Sequence, residues 1–181
     1  MHPAECASKR LIARAPTGED EAHYRELLLC EQVGRWLRPP PLKPLIDPDP
    51  GLWLARDIAH WREHGFGPWV LIDAQLKDFV GRAGPSYTTL NNATVIELAW
   101  AITPPRWGEG LATEAGCLAL EVTRELNLGD VFAYTLTTNT ASRRVMEKVG
   151  LRELGQITRA GLAHVLFGSQ IDRSTGETPA S

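Results

Sequence analysis

The segment 106–113 has the residue types of an anion-binding loop. It reads Arg-Trp-Gly-Glu-Gly-Leu-Ala-Thr and runs into an amphipathic helix pattern. The first amides of a helix lack intrahelical acceptors and carry the positive end of the helix dipole. Gly108 and Gly110 would let a phosphate approach the backbone, Arg106 could add positive charge, and Glu109 would have to point away. The alternative is an ordinary connection between a strand and a helix.

Two well-known phosphate loops do not fit this segment. It lacks the Gly-Lys-Ser/Thr ending of a Walker loop. Its glycine spacing also differs from that of the dinucleotide-binding fingerprint. The pattern therefore predicts a different phosphate-bearing ligand, if it binds one.

Glu97 is the candidate general base. It is the single acid in the run Val-Ile-Glu-Leu-Ala-Trp at residues 95–100. Burial in an apolar strand raises the pKa of a carboxyl group towards neutral pH, which suits a base. The alternatives are a solvent-facing strand residue or a structural partner for an arginine. Glu153 and His164, from strands near the C-terminus, are further candidates for the base.

The N-terminal half of the chain predicts one strand and two helices. The strand is at residues 10–14. Thr17 and Asp20 have the spacing of a capping pair and open a helix with Ala22, Leu27, Leu28 and Val33 inward. A proline-rich irregular loop follows at 39–50. The second helix, at 52–64, would bury the residues at its helical spacing, Leu52, Ala55, Ile58, Ala59 and Arg62.

The C-terminal half predicts strands with two further helices. Strands are expected at 68–73, 78–82, 95–102, 131–136, 151–157 and 164–167. Gly84 and Pro85 are expected to end the second of these. Helices are expected at 111–126, with an apolar stripe from Leu111 to Leu126, and at 139–149. This order predicts an α+β or mixed α/β sheet with helices packed on it.

Three motifs carry a resemblance to a known family. The segment Trp107-Gly-Glu-Gly-Leu-Ala-Thr-Glu-Ala115 resembles the acetyl-CoA loop of the GNAT acetyltransferase superfamily, Gln/Arg-x-x-Gly-x-Gly/Ala. It is most similar to the branch that includes the ribosomal-protein N-terminal acetyltransferases, where Trp is common in place of Gln or Arg. The stretch 139–150 is similar to that branch's helix with an Asn, a Ser and a final Gly. Residues 10–14 resemble its opening strand, Arg-Leu-x-Leu-Arg, and the resemblance covers about residues 10–168.

This resemblance implies the fold and the coenzyme site. The implied fold is a mostly antiparallel sheet of about seven strands, splayed at its centre, with about four helices. It would form one domain at residues 9–169, with flexible termini at 1–8 and 170–181. The gap would lie between 97–103 and 131–137, with pantetheine along the first strand and pyrophosphate on the loop amides. The implied coenzyme-binding residues are Ala101, Ile102, Thr103, Arg106, Trp107, Gly108, Gly110, Leu111, Ala112, Thr113, Asn139 and Ser142.

The resemblance also implies the reaction, which is acetyl transfer from acetyl-CoA to an amine. A neutral amine attacks the thioester, so Glu97 would remove a proton. The family often has a tyrosine acid at the position of Met146, which cannot donate a proton. Ser142 is therefore the candidate catalytic hydroxyl near the sulfur, or else a small residue chosen for packing. Asn139 is equally explained as a helix N-cap, and Tyr134 is expected to serve packing.

The amino-acid composition of the chain narrows the classes of partner to be expected. The chain has 181 residues, 43% hydrophobic and 23% charged, with a net charge of −3. This balance fits one globular domain and gives no reason to expect nucleic acid or an anionic membrane as a partner. The scattered Cys6, Cys30 and Cys117 show no metal spacing and favour a cytoplasmic protein with reduced thiols and no metal. A homodimer is left open.

The acceptor amine is implied to bind at residues 18–45, 52–67 and 155–167. Rings in this part suit a peptide N-terminus or a hydrophobic amine, although each ring is also explained as core. These rings are Trp36, Trp53, Trp61, Phe66 and Trp69. No acidic cluster stands out for a polycationic acceptor. Two other functions stay open: a non-catalytic acyl-CoA-binding sensor or regulatory module, and a phosphate-binding domain unrelated to coenzyme A.

Overall fold

The computed structural model describes residues 4–37 and 49–169. Eight strands and five helices lie within these residues. The strands are β1 (Glu5–Ala7), β2 (Leu11–Arg14), β3 (Trp69–Asp73), β4 (Phe79–Leu90), β5 (Ala93–Ile102), β6 (Val131–Leu136), β7 (Arg152–Arg159) and β8 (Leu162–Gly168). The helices are α1 (Glu21–Leu29), α2 (Glu31–Leu37), α3 (Pro50–His64), α4 (Leu111–Glu125) and α5 (Thr140–Val149).

The strands form one mixed sheet in the order β1-β2-β3-β4-β5-β6-β8-β7. Every neighbouring pair is antiparallel except β5 and β6, which are parallel. The predicted α/β fold class is confirmed. The sheet has one strand more than expected because Glu5–Ala7 pairs with β2, a pairing that the sequence did not predict.

The sheet opens at its centre, between β5 and β6. Only Ile96 and Glu97 pair with β6, opposite Val131 and Phe132. Beyond these pairs β5 continues to Ile102 without a partner on this side, and β6 continues to Leu136 paired only with β8. The predicted splay of the central strands is therefore present, and it leaves unpaired backbone facing a gap.

Helix α4 covers the sheet behind this gap. Its predicted apolar stripe is buried at Leu111, Ala115, Leu118, Ala119 and Val122. The helix approaches α5 closely at Gly116, where an added Cβ would lie 2.7 Å from Val149 Cγ2. Burial of this stripe fixes the start of α4, and hence the glycine loop, at the mouth of the gap.

The first predicted helix is divided. A break at Cys30, whose backbone is extended, separates α1 from α2. The expected capping box of Thr17 and Asp20 is present, although it opens a 3-10 turn that leads into α1. Leu27, Leu28 and Val33 are buried as predicted, whereas Ala22 is exposed and Tyr24 lies in the core instead. The proline-rich loop predicted next falls mostly at 38–48, outside the described residues.

The predicted buried face of α3 was wrong. Leu52 is 46% exposed and Ala55 is also exposed, while Leu54 and Asp57 are buried. Asp57 is buried because Arg82 of β4 binds its carboxylate. The periodicity that placed Leu52, Ala55 and Arg62 on one face gave no reason to bury Asp57, because a charged residue is buried only when a partner such as Arg82 is in place.

Pro85 does not end β4, contrary to the sequence expectation. The pairing of β4 with β3 stops at Ala83, opposite Trp69. From Gly84 to Leu90 the strand is paired on its β5 side, with Pro85 opposite Leu98. Proline is tolerated here because its missing N–H falls where β4 has an open edge. No helix in the described part of the chain is long and apolar enough to cross a bilayer.

Candidate active site

A cavity of about 680 Å³ lies in the gap between β5 and β6. Its walls come from β5, β6, the loop before α4, the start of α5, and helices α1 to α3. Glu97 and nearly all the predicted coenzyme-binding residues line it. These are Ala101, Ile102, Arg106, Trp107, Gly108, Gly110, Leu111, Ala112, Thr113, Asn139 and Ser142.

Thr103 is the predicted coenzyme residue that the structure does not bring into the cavity. It is 5% exposed, and both its amide and its hydroxyl donate to the Val80 carbonyl, at 2.9 and 3.1 Å. Backbone groups of a strand alternate sides, so those of Ile102 and Trp100 face the gap. The Ile102 carbonyl already accepts a 2.7 Å bond from the Trp107 indole. The sequence could not reveal this alternation because it depends on the register with β4.

The loop before α4 presents a row of free amides. Gly108 and Gly110 have φ of 83° and 82°, in the left-handed region that favours glycine. Within the described residues, the backbone amides from Gly108 to Thr113 have no hydrogen-bond acceptor; Glu114 is the first to bond back, to Gly110. Free amides at the positive end of a helix have the chemistry of a candidate anion site, and this loop lines the cavity.

Arg10, the first residue of the predicted opening strand, holds this loop in place. Its Nη1 donates to the Glu109 carbonyl at 2.8 Å. Its backbone amide and Nε donate to the two carboxylate oxygens of Glu114, each at 2.7 Å. The Glu114 pKa is lowered by these bonds and by Ser8, against the opposing effect of burial. These bonds from Arg10 tie the start of β2 to the start of α4. The positions of the loop amides therefore do not depend on the stiffness of the loop alone.

Arg106 is committed to two carboxylates. It binds Glu109 through Nε at 2.9 Å and Nη2 at 3.0 Å, and Asp73 through Nη2 at 2.8 Å. The amides of Leu76 and Gln75, together with Arg106, lower the Asp73 pKa to about 2. Arg106 thus holds the Glu109 side chain aside, as an anion site requires, but its own charge is largely paired.

Asn139 and Ser142 open α5 at the cavity wall. The Asn139 Oδ1 accepts the Ser142 amide at 3.2 Å, and its Nδ2 donates to the Thr135 hydroxyl at 3.0 Å. Asn139 is therefore the N-cap of α5, as its alternative explanation predicted. The Ser142 hydroxyl lines the cavity and has no hydrogen-bond partner within the described residues.

Glu97 contacts a residue that the strand pattern assigned to packing. The Tyr134 hydroxyl donates to Glu97 Oε2 at 3.2 Å across the point where β5 and β6 separate. Burial raises the pKa of Glu97, while Tyr134, Arg159 and Arg82 oppose that rise. Burial and the Glu97 charge likewise raise the pKa of Tyr134. The guanidinium carbon of Arg159 lies 4.4 Å from the Tyr134 ring centroid, over the ring.

The other candidate bases lie in different places. His164 lines the cavity, with its ring 5.7 Å from that of Tyr134 and its Nδ1 3.0 Å from the Leu162 carbonyl. Glu153 is exposed and binds Arg143 at 3.2 Å, outside the cavity. Met146, at the family position of the tyrosine acid, is 2% exposed and belongs to the core.

The part of the cavity lining that comes from α1, α2 and α3 is apolar and aromatic. Of the rings singled out in the sequence, Trp36 and Trp53 line it, beside Leu27, Leu28, Val33 and Leu37. Phe66 and Trp69 are core residues, and Trp61 packs against the core with its indole donating to the Pro68 carbonyl. The sequence missed Arg82, which also lines the cavity; an isolated arginine in a strand carries no sequence signal.

Comparison with known proteins places the chain among acetyltransferases. The model of the acetyltransferase (GNAT) domain matches residues 10–152. The uncharacterized protein YkkB of Bacillus subtilis (strain 168) is 31% identical over 103 residues, which cover 54% of this chain. That match spans 60% of YkkB, less than two thirds of its length.

Solved structures show the same fold at low identity. A putative GnaT-family acetyltransferase from Bordetella pertussis has a TM-score of 0.75 and 21% identity, covering 91% of this chain and 98% of that one. RimJ of Mycobacterium smegmatis, solved with CoA-disulfide, has a TM-score of 0.70 and 22% identity, covering 88% and 81%. The ribosomal-protein-S5-alanine acetyltransferase of Vibrio fischeri has a TM-score of 0.72 and 14% identity, and the match covers 93% of this chain and 97% of that one.

Proposed function

This chain belongs to the GNAT acetyltransferase family, and on that premise we propose that it transfers an acetyl group from acetyl-CoA to a primary amine. One observation carries the proposal. The free amides from Gly108 to Thr113 and the partly buried Glu97 open into the same cavity. An anion site and a candidate base at one gap are what a phosphate-bearing thioester and an amine acceptor require.

The donor is proposed to bind along β5 and over the glycine loop. The loop amides receive the pyrophosphate, because they have no acceptor of their own and lie at the positive end of α4. The pantetheine arm pairs with the gap-facing backbone of Trp100 and Ile102, and Thr103 is not used. Asn139 supports this wall by capping α5, with contact to the ligand as a second role.

Glu97 is proposed as the base. The attacking nitrogen must be neutral, so a proton leaves the ammonium before or during attack on the thioester carbonyl. Burial raises the Glu97 pKa, which makes the carboxylate a better proton acceptor than an exposed glutamate. The new C–N bond forms, the C–S bond breaks, and the coenzyme departs as a thiolate that needs a proton.

Tyr134 and Ser142 are proposed to supply the hydroxyls near the departing sulfur. The Tyr134 proton is already shared with Glu97, so the proton that Glu97 takes from the amine can pass through the phenol to the thiolate. The Ser142 hydroxyl has no competing partner within the described residues and lines the same cavity. Met146 cannot serve because a thioether has no proton to donate.

Thiol release tests the proposed function. The purified chain is mixed with acetyl-CoA and a panel of amino acids, small amines and peptides with varied N-termini, and free coenzyme thiol is measured over time. We expect release that depends on an acceptor and that falls about 100-fold in Glu97→Gln. Thermal stabilisation by acetyl-CoA but not by ATP or NAD identifies the ligand. Stabilisation without release from any acceptor would instead indicate a non-catalytic acyl-CoA-binding module.

A further inference from the structure

A buried network of three polar side chains reaches the cavity through one of its members, Arg82. The Asp57 Oδ2 accepts a bond from the Tyr24 hydroxyl at 2.5 Å and one from Arg82 Nε at 2.5 Å. Its Oδ1 accepts Arg82 Nη2 at 2.7 Å. The side chains of Asp57 and Arg82 are 9% and 14% exposed, and Tyr24 is 1% exposed. The network therefore fixes the Arg82 guanidinium rigidly at the cavity surface.

Stability alone is a poor explanation for this network. Burying an ion pair removes two charges from water, and apolar residues of similar volume are often as stable. Arg82 also keeps one donor group unused: its Nε and Nη2 bind Asp57, whereas Nη1 has no partner within the described residues. Because Arg82 lines the cavity, a rigid cation with a free Nη1 is held ready for an anionic or carbonyl group.

Arg82 and Glu97 lie on one face of the β4–β5 hairpin. In the register, Arg82 is opposite Ala101 and Ser86 is opposite Glu97. Side chains of opposed residues, and of residues two or four apart, share a face of the sheet. The four-residue offset separates the two backbone positions by about 13 Å. Both side chains are long, and Arg82 is near enough to act on the Glu97 pKa, although burial dominates it.

Because the cationic Arg82 and the acidic Glu97 line one cavity on the same face of the sheet, the cavity suits a small molecule with a positive and a negative end. An α-amino acid that donates its amine to Glu97 and gives its carboxylate to Arg82 spans about 8 to 9 Å between the two protein groups, from two hydrogen bonds and its own short backbone. The apolar rings and aliphatic side chains on α1, α2 and α3, including Trp53 with its ring centroid 5.8 Å from the guanidinium carbon of Arg82, then face the substituent.

We propose that the acceptor is a primary amine bearing a carboxylate and an apolar side chain, an amino acid of the phenylalanine or leucine type, with its carboxylate bound by Arg82. The inference rests on the proposed acetyl transfer and narrows its acceptor. An amine whose carboxylate is amidated or absent leaves Arg82 without its anion. A peptide N-terminus has a neutral carbonyl in that place.

Matched acceptors test this directly. Initial rates of thiol release with acetyl-CoA are compared for phenylalanine, phenylalaninamide, phenethylamine and a phenylalanyl peptide, and for leucine and leucinamide. We expect kcat/KM to be about 10- to 100-fold higher for the free acids, the usual range for a charge-assisted hydrogen bond. Arg82→Gln should abolish the preference, so that the ratio of kcat/KM for each free acid to that for its amide falls to about 1.

Two further variants separate the loss of the Arg82 charge from the effect of leaving Asp57 unpaired. Because R82Q leaves the Asp57 carboxylate buried without its cation, the double variant D57N/R82Q removes both charges. R56Q, at an exposed position beside Asp57 on α3, is the matched control and should keep the preference for acids. Equal rates for acids and amides in the wild type, activity on peptides alone, or an unchanged preference in both Arg82 variants would overturn the proposal. Absence of thiol release from every amine would instead refute the acetyl transfer itself.

Discussion

The Tyr134 hydroxyl lies 3.2 Å from Glu97 Oε2 at the last point where β5 and β6 are still paired. The two strands are paired at Ile96 and Glu97, and beyond this contact, towards Ile102 and Leu136, they diverge around the cavity. The candidate base is thus coupled to a proton donor at the base of the gap, although the helix position used by the family for a tyrosine holds Met146.

This contact predicts a specific loss in Tyr134→Phe. The change removes one oxygen and keeps the ring against His164 and Arg159. We expect kcat to fall about 10- to 100-fold with little change in KM for acetyl-CoA, because only proton transfer is impaired. Steady-state thiol release measures both constants. Tyr87→Phe, an exposed position on β4, is the control; equal activity of the two variants would contradict a role for Tyr134.

The raised pKa of Glu97 predicts a pH-dependent rate. A base acts only when deprotonated, so kcat/KM should rise as the pH passes through the Glu97 pKa and level off at higher pH. Burial, the main cause of the shift, places this rise above the ordinary range of a glutamate. The Glu97→Gln variant should lose this rise of kcat/KM with pH and retain acetyl-CoA binding. A wild-type profile that is flat between pH 4.5 and 8 would argue against Glu97 as the base.

The glycine loop predicts a binding defect in Gly110→Ala. At a φ of 82°, a side chain costs roughly 1–2 kcal/mol, and this strain falls in the loop that carries the free amides, where the new methyl group would lie 3.7 Å from Arg10 Nη2. Gly129 has a φ of 85° with nothing within 4 Å, so Gly129→Ala carries a similar backbone cost away from the cavity. Calorimetry should show acetyl-CoA affinity at least about 10-fold weaker for G110A than for G129A. Equal affinities would mean that the loop does not hold the phosphates.

Asp20 predicts an acid-sensitive part of the stability. Burial opposes ionisation of this carboxyl, but Arg14, Thr17 and His23 prevail and hold its pKa at about 2. The folded pKa lies below the unfolded value near 3.9, so the contribution is present above pH 3.9 and disappears as pH falls to about 2. Asp20→Asn should lose on the order of 1–2 kcal/mol at pH 7.

Chemical denaturation of Asp20→Asn and wild type at pH 7 and at pH 2.5 measures this difference. The gap between the two proteins should shrink at the lower pH, because the wild-type carboxylate is then becoming protonated. Glu19→Gln, at the exposed neighbouring position, serves as the control and should differ little from wild type at either pH. A gap that does not depend on pH would show that the carboxylate charge is not the source of the stability.

The sequence predicted the glycine loop and the start of α5 well because they are built from short-range features. Two glycines before a helix, an Asn cap and a final Gly act within a few residues of themselves, so their spacing is visible in the chain. It predicted the elements on the α1 to α3 side of the cavity less well. The buried face of α3, the break at Cys30 and the cavity position of Arg82 all depend on partners far away in sequence.

By itself, the sequence determined the glycine loop, the α4 stripe and the capped α5, since local backbone preference and apolar periodicity fix them. Tertiary structure alone decided which polar groups meet. Glu97 and Tyr134 are brought together by the parallel pairing of β5 with β6, and Asp57 turns inward because Arg82 lies opposite it. Burying a charge or a hydroxyl is favourable only with a partner in place, and such partners are set by strand register and helix rotation rather than by the residues' own types.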